Sequence, residues 1–134
     1  MAKERGLGMA LAIDDSGGSA RTISNDITNF DFAIPRGVQD ITGIDKSANE
    51  RLLLLADFSI TVNGVFNDGS NASHDVFKTV SSTSVARTTT ITVSGQTLAT
   101  ESFYTDYALS RAATGELTFT SNGVLQSGTV PTWA

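Results

Sequence analysis

Residues 51–66 read RLLLLADFSITVNGVF and carry the clearest strand pattern in this 134-residue chain. From residue 57 onward, polar residues alternate with apolar or small ones. In a strand, an alternation of period two places the two kinds of residue on opposite faces. The pattern therefore predicts a half-buried strand over residues 58–66. The apolar or small positions are Phe58, Ile60, Val62, Gly64 and Phe66, and the polar positions are Asp57, Ser59, Thr61 and Asn63.

The segment that leads into this strand has two interpretations. Ser47 and Glu50 have the spacing of a capping box, which predicts a short helical turn around residues 48–55. The competing interpretation is one long strand from Leu52 to Phe66. The sequence leaves the choice between the two open.

Residues 27–34 alternate in the same way. Phe30 and Phe32 fall on one face, which predicts a second half-buried strand, and Pro35 ends it. Residues 36–51 follow as a long excursion with two glycines. We expect an extended loop there, with partial strand character.

One segment has helical spacing instead. Val76, Phe77 and Val80 lie on one face of a helix, and Ser73 is a suitable residue to cap its start. We therefore expect an α-helix at about residues 71–81. The remaining pattern predicts a mostly β, antiparallel fold with this helix at its flank.

The composition supports a β fold. The chain has 18 Thr and 15 Ser, about a quarter of its residues, and Thr favours strands over helix interiors. Twelve Gly and two Pro fit a chain with many turns, and only 17% of the residues are charged. The length suits one domain over residues 1–134. This composition argues against a helical bundle, a coiled coil and an extended disordered chain.

Several classes of function are excluded by what the sequence lacks. It has no Cys, which removes disulfides, thiolate metal sites and cysteine nucleophiles, and His74 is its single histidine. It contains no phosphate loop, dinucleotide fingerprint or nucleophile elbow, so we expect no cofactor. The net charge is −5 and the nine basic residues are scattered, which argues against nucleic-acid binding. The longest aliphatic run, residues 52–56, is far too short to span a membrane, so we expect a soluble protein made in the cytoplasm.

Asp15-Ser16-Gly17 is the tripeptide that most resembles a catalytic motif. Retroviral-type aspartic proteases carry Asp-Ser/Thr-Gly after an apolar strand, and two copies share a proton between their carboxylates. The tripeptide here follows MALAI, but a later apolar-apolar-glycine segment is not evident. The favoured interpretation is a polar turn that ends in two glycines.

Residues 67–75, NDGSNASHD, offer several oxygen ligands of the kind that calcium prefers. Their spacing does not match the twelve-residue calcium loop, and no Glu closes it. His74 has Ser73 and Asp75 as neighbours, but adjacent residues on one helical turn do not converge as a catalytic triad requires. We therefore expect a loop that leads into a helix, without a metal or catalytic site.

Four segments, in this order, resemble tail tube (major tail) proteins of long-tailed bacteriophages. Residues 46–66 are similar to the family's Glu-Arg-Leu turn and following strand, and 71–80 are similar to its helix opening. Residues 105–119, TDYALSRAATGELTF, resemble the penultimate hairpin, and 128–133, GTVPTW, resemble the end of family members. The likeness covers most of residues 25–133.

This resemblance implies a β-sandwich protomer that joins a continuous β-barrel tube on assembly. In the family, protomers form hexameric rings, the rings stack, and DNA passes through the tube without specific binding. The implied partners are further copies of the chain and the tape measure, tail terminator and baseplate proteins. The implied location is the virion tail, and no enzymatic activity is implied. A long loop that reaches the next ring corresponds to residues 36–51, with Arg36, Asp40, Asp45, Lys46 and Arg51 as the inter-ring candidates.

A tube protomer needs one apolar sheet face toward its own core and one polar face toward the lumen. The strands at 27–34 and 58–66 offer this division, and an acidic lumen would repel DNA so that it slides. The lumen-facing candidates are Asp31, Asp57, Ser59, Thr61 and Asn63. The core candidates are Phe30, Phe32, Phe58, Ile60, Val62, Phe66, Phe77 and Phe103. The alternative for the polar set is the solvent-facing side of an ordinary sandwich.

Other functions stay open beside the tail tube. A head–tail completion protein or a capsid decoration protein would form a single ring or sit on capsid sites. A homodimeric aspartic protease would use Asp15, and a soluble binding module would remain monomeric.

Overall fold

The computed structural model describes residues 5–134, so residues 1–4 of the predicted domain lie outside the described part. The described chain is mostly antiparallel β with one α-helix, as predicted. The helix, α1, spans Ser73–Phe77. The strands are β1 (Ala10–Asp14), β2 (Ala20–Thr22), β3 (Ile27–Ala33), β4 (Arg36–Asp40), β5 (Arg51–Ala56), β6 (Ser59–Val65), β7 (Arg87–Val93), β8 (Gln96–Tyr104), β9 (Ala108–Arg111) and β10 (Leu117–Leu125).

Eight strands form one antiparallel sheet in the order β2-β1-β7-β8-β10-β6-β3, with β9 paired to the first half of β10. The sheet curls, so that residues near its two ends line one cleft. These residues include Met9 and Leu11, just before and within β1, and Phe30 and Phe32 of β3. The ladder of hydrogen bonds does not close between these ends. The result is the sandwich-like protomer that the resemblance implied.

Alternate residues of the strands fill the space inside the curled sheet. In β6 the even positions point inward, and the side chains of Ile60 and Val62 are buried. Phe58 and Phe77 are buried as well, whereas Phe30 and Phe32 are half-buried against the edge of the core. Phe66 lies outside this core, and the centroid of its ring is 4.7 Å from the centroid of the His74 ring.

The prediction that Phe103 belongs to the core is wrong, because its side chain is 40% exposed. The even residues of β8 point inward, including the polar Thr100 and Ser102, and Tyr104 is buried with them. Phe103 has the opposite parity and therefore lies on the outer face, paired with Val124 of β10. Because some inward positions of β8 are polar, the sequence pattern does not show which of its residues point inward.

Helix α1 is shorter than the predicted 71–81, and Ser73 is its first residue rather than its cap. The Ser73 hydroxyl donates to the Val65 carbonyl at 3.1 Å. The buried carboxylate of Asp26 accepts hydrogen bonds from the Ser73 backbone N–H at 3.0 Å and from the Asn67 amide at 2.8 Å. An acidic residue 47 positions away therefore satisfies the free N–H that a local cap was expected to satisfy.

Arg87 is buried at the beginning of β7 and fastens the helix to the sheet. Its guanidinium donates to the carbonyls of Val76 at 2.7 Å and Asp14 at 3.1 Å, and to the Thr79 hydroxyl at 3.0 Å. Burial lowers the pKa of Arg87, but an arginine remains charged in proteins. The Val76 carbonyl is a suitable acceptor, because the C-terminal end of a helix favours positive charge.

The expected helical turn around residues 48–55 is not formed, since this region contains β5. The competing long strand is also interrupted, between β5 and β6. There the Asp57 backbone N–H donates to the Pro35 carbonyl at 2.9 Å. Strand β3 pairs with β6 and strand β4 pairs with β5, so the four strands form one long hairpin. The predicted loop at 36–51 therefore begins with a strand.

Candidate assembly surfaces

The outward sides of β3, β6 and β10 are mainly polar, with Ala33, Val65 and Val124 at their margins, and their central polar residues are here called the polar face. Asp31 of β3 lies opposite Thr61 of β6, which lies opposite Asn122 of β10. The polar face comprises Asn29, Asp31, Ser59, Thr61, Asn63, Thr120 and Asn122. It therefore brings together four of the five lumen-facing candidates, namely Asp31, Ser59, Thr61 and Asn63.

Hydrogen bonds cross the polar face from strand to strand. The Thr61 hydroxyl donates to the Asn122 side chain at 2.8 Å, and the Thr120 hydroxyl donates to the Asn63 side chain at 2.7 Å. The Asp106 carboxylate accepts the Asn122 backbone N–H at 2.8 Å and the Asn122 amide at 3.2 Å. These bonds hold the polar side chains in place beside one another.

This surface and its support also include Thr120, Asn122 and Asp106, which the sequence pattern did not indicate. Alternation in β10 is the signal that could have found them, but the inward positions include Ser121 and Gly123. A Cβ atom at Gly123 would lie 2.9 Å from Ile60 Cγ2 and 3.0 Å from a ring carbon of Tyr104. The core is too tight for a side chain there, so this inward position of β10 lacks an apolar residue that would extend the alternation beyond Phe119.

Acidic side chains give the polar face its charge. Asp31 is exposed on the face, and Asp106 lies against Asn122. The fifth lumen-facing candidate, Asp57, is exposed just before β6, and its carboxylate accepts the Phe58 backbone N–H at 2.8 Å. The paired outward positions of β3 and β6, and those of β10, carry no Lys or Arg in the described strands. These outward strand positions therefore carry an acidic side chain and no basic one.

Strands β4 and β5 form a separate two-stranded sheet that we call the projecting ribbon, together with the connection at 41–50. Every residue of β4 is exposed, and so is every residue of β5 except Ala56. Leu53 is 62% exposed and Leu55 is 93% exposed. The other exposed large apolar residues of the ribbon are Val38, Ile41, Ile44, Leu52 and Leu54.

The apolar residues of the projecting ribbon lie on both of its faces, because successive side chains of a strand point in opposite directions. Strands that are apolar on both sides are typical of sheets covered on both faces. An isolated two-stranded ribbon is marginally stable in water, and exposed apolar patches mark interaction surfaces. The ribbon thus has the composition of a buried element and the exposure of a surface element.

All five inter-ring candidates lie on the projecting ribbon. Arg36, Asp40 and Arg51 belong to its strands, with Asp40 opposite Arg51, and Asp45 and Lys46 belong to the connection. The ribbon is also hydrogen-bonded near its tip. The Asp40 carboxylate accepts the Thr42 hydroxyl at 2.6 Å and its backbone N–H at 2.9 Å, and these bonds lower the pKa of Asp40.

Asp15 lies in the turn between β1 and β2, where its carboxylate organises the turn. One oxygen accepts the backbone N–H groups of Gly17 at 2.9 Å and Ser19 at 3.0 Å. The other oxygen accepts Arg21 Nε at 3.0 Å. The hydrogen bond from Ser19 is the largest cause that lowers the pKa of Asp15, against a smaller opposing effect of burial. This arrangement matches the polar turn that the sequence favoured, and it stabilises the ionised carboxylate.

The oxygen-rich segment at 67–75 uses its side chains for local structure. The Asn67 side chain accepts the Gly69 N–H at 3.0 Å, and the Asp75 carboxylate accepts the Asn71 N–H at 2.8 Å. His74 Nδ1 lies 3.2 Å from the Tyr107 hydroxyl. Within residues 5–134, no group of three His, Asp or Glu side chains is placed to hold a metal ion. In the same part of the chain, no helix combines the length and apolar character that crossing a membrane requires.

Two solved structures share this architecture over nearly the whole chain. One is a chain in the tail of an empty GTA particle, determined by helical refinement with C6 symmetry; it has a TM-score of 0.80 and 14% identity, and the match covers 98% of this chain and 99% of that chain. This protein has the fold of a GTA tail chain. The other is a chain of the native gene transfer agent virion, with a TM-score of 0.78, 13% identity and the same coverage.

No protein-family model matches the sequence, and no curated protein matches it significantly. The likeness to the GTA tail chain is therefore one of fold. Because it covers 98% of the chain, it extends over the main sheet, α1 and the projecting ribbon.

Proposed function

We propose that this protein is a structural subunit of a phage-like tail, which self-assembles into stacked hexameric rings that form the tail tube. The observation that carries the proposal is the projecting ribbon, which carries apolar residues on both faces and whose strands are exposed in a single copy except at Ala56. An element of this kind is stable in water when a neighbouring copy covers it. The GTA tail with the same fold was determined with C6 symmetry, which supports rings of six copies.

In the proposed tube, the polar face lines the lumen. Asp31, Asp57, Ser59, Thr61 and Asn63 would then surround DNA in transit. Six copies at −5 give a ring a net charge of −30, which repels the phosphate backbone and disfavours sticking. The hydrogen-bonded threonine and asparagine side chains add a polar lining without a basic residue that would bind phosphate.

The projecting ribbon forms the contact between stacked rings. Its charged residues, Arg36, Asp40, Asp45, Lys46 and Arg51, provide both signs of charge around the leucines. The free edges of the main sheet at β2 and β3 would also meet neighbouring copies, which removes unpaired strand edges. Further expected partners are the tape measure, tail terminator and baseplate proteins, and the protein would be made in the cytoplasm of an infected bacterium and end in the virion tail.

Negative-stain electron microscopy of the concentrated protein, together with size-exclusion chromatography, tests this proposal. We expect long hollow tubes with regular cross-striations. Single rings that do not stack would instead support a head–tail completion protein or another ring-forming virion component. Monomers at all concentrations would contradict self-assembly. In that case a peptidase assay in the acid range, with Asp15→Asn as the control, would test the remaining alternative of an aspartic protease.

A further inference from the structure

The projecting ribbon contains a β-bulge close to its junction with the main sheet. Arg36 pairs with Ala56, but Val38 pairs with Leu53, so Leu54 and Leu55 together lie opposite Gly37. A bulge of this kind bends the strand that carries the extra residue and increases the local twist. The bulge therefore bends the ribbon near its base, one residue pair beyond the junction with the main sheet at Pro35 and Asp57.

The Arg36 side chain provides a hydrogen bond inside the bulge. Its Nε donates to the Leu54 carbonyl oxygen at 2.8 Å. Because the extra residue of a bulge leaves the regular ladder, its backbone groups need another partner or water. Gly37 fits closely on the opposite strand, where a Cβ atom would lie 3.3 Å from Leu54 Cδ1. A side-chain donor and a close glycine contact thus define this bend.

We infer that Arg36 is a positioning residue, which fixes the angle at which the projecting ribbon meets a second copy of this chain. The inference rests on the proposed self-assembly. Leu54 and Leu55 form the bulged side of this pairing, so a change in its geometry re-aims two of the exposed apolar side chains. The bond joins two exposed groups and lies outside the buried core. Its loss should therefore affect assembly much more than the folding of one copy.

Arg36→Gln and Arg36→Met separate the hydrogen bond from the charge. The amide nitrogen of Gln is as many bonds from Cα as Arg Nε, so Gln keeps a donor for the Leu54 carbonyl while it removes the charge. Met has a similar length and removes both. Because Arg36→Gln removes a charge from the proposed contact, its tubes should need a higher protein concentration to form at low salt, but they should keep the wild-type axial repeat. Arg36→Met should raise the critical concentration for assembly about tenfold, comparable to the net value of one hydrogen bond, and alter the axial repeat.

Each other result overturns the inference in an identifiable way. Equal losses in both variants would assign the effect to the charge of Arg36, and wild-type assembly of both would show that the bond does not position the ribbon. A clear drop in the melting temperature of the Arg36→Met monomer would assign the bond to the stability of the fold. If the wild-type chain itself forms no assemblies, the proposed function fails first and the inference fails with it.

Discussion

The two halves of the long hairpin differ sharply in their surroundings. In the β3–β6 half, one face packs into the core, and Phe58 and Val62 are fully buried. In the β4–β5 half, three residues before Phe58, Leu55 is 93% exposed. Burial of a large apolar side chain contributes about 1.5–3 kcal/mol. The apolar residues of the first half therefore stabilise the single copy, whereas those of the projecting ribbon can contribute only when another molecule covers them.

Phe58→Ala should have the largest effect on folding. Its ring is buried inside the main sheet, and removal of such a ring leaves a cavity. We expect the free energy of unfolding to fall by about 3–5 kcal/mol, as measured by urea denaturation. Phe103→Ala is the matched control, because that ring is 40% exposed on the outer face of β8. Equal losses in the two variants would contradict the assignment of the core.

Asp26→Ala should have the next largest effect, since it removes an acceptor buried between α1 and the main sheet. The Ser73 N–H and the Asn67 amide would lose their partner, and an unsatisfied buried donor costs about 1–3 kcal/mol. The same denaturation measurement checks this value. Asp45→Ala, which removes an exposed carboxylate from the projecting ribbon, should leave unfolding unchanged. A similar loss in both variants would show that the ribbon is part of the stable fold of one copy.

Leu55→Asp should separate assembly from folding. The side chain is almost fully exposed, so the free energy of unfolding should change by no more than about 0.5 kcal/mol. In the assembled tube the same position would place a carboxylate in an apolar contact, and we expect no tubes by electron microscopy. Leu7→Asp changes a leucine that is 78% exposed outside the ribbon and serves as the control. If Leu55→Asp forms normal tubes, the projecting ribbon does not form the proposed contact between rings.

The sequence predicted those parts of the fold in which apolar and polar residues alternate cleanly. Strands β3 and β6, and four residues of the polar face, follow from that alternation alone. It failed where the inward positions are polar or small, at Ser102 in β8 and Gly123 in β10. It also failed for the projecting ribbon, because four successive leucines have no period from which a strand can be distinguished from a helical turn. The bond between Asp26 and Ser73 joins positions too distant in sequence for any local pattern to indicate it.

The smallest effect on folding is expected from Asp31→Lys and Asp57→Lys, which test the proposed lumen surface. Both side chains are exposed, so melting and tube formation should remain as in the wild type. Each change alters the net charge of six copies from −30 to −18 and places an ammonium group on the proposed lumen surface. Such tubes should retain DNA through salt-dependent phosphate contacts. We therefore expect short duplex DNA to co-sediment with the variant tubes at low salt, and genome delivery by the particles to fall.

Asp68→Lys is the matched control, because it makes the same change in net charge at an exposed position in the loop before α1 that does not belong to the polar face. If its tubes retain DNA as strongly as those of Asp31→Lys, the net charge of the tube explains the binding, and the polar face does not line the lumen. If DNA is retained only by the polar-face variants, the location of the charge decides the outcome. The acidic half of the hairpin would then face the DNA, while its apolar half holds the rings together.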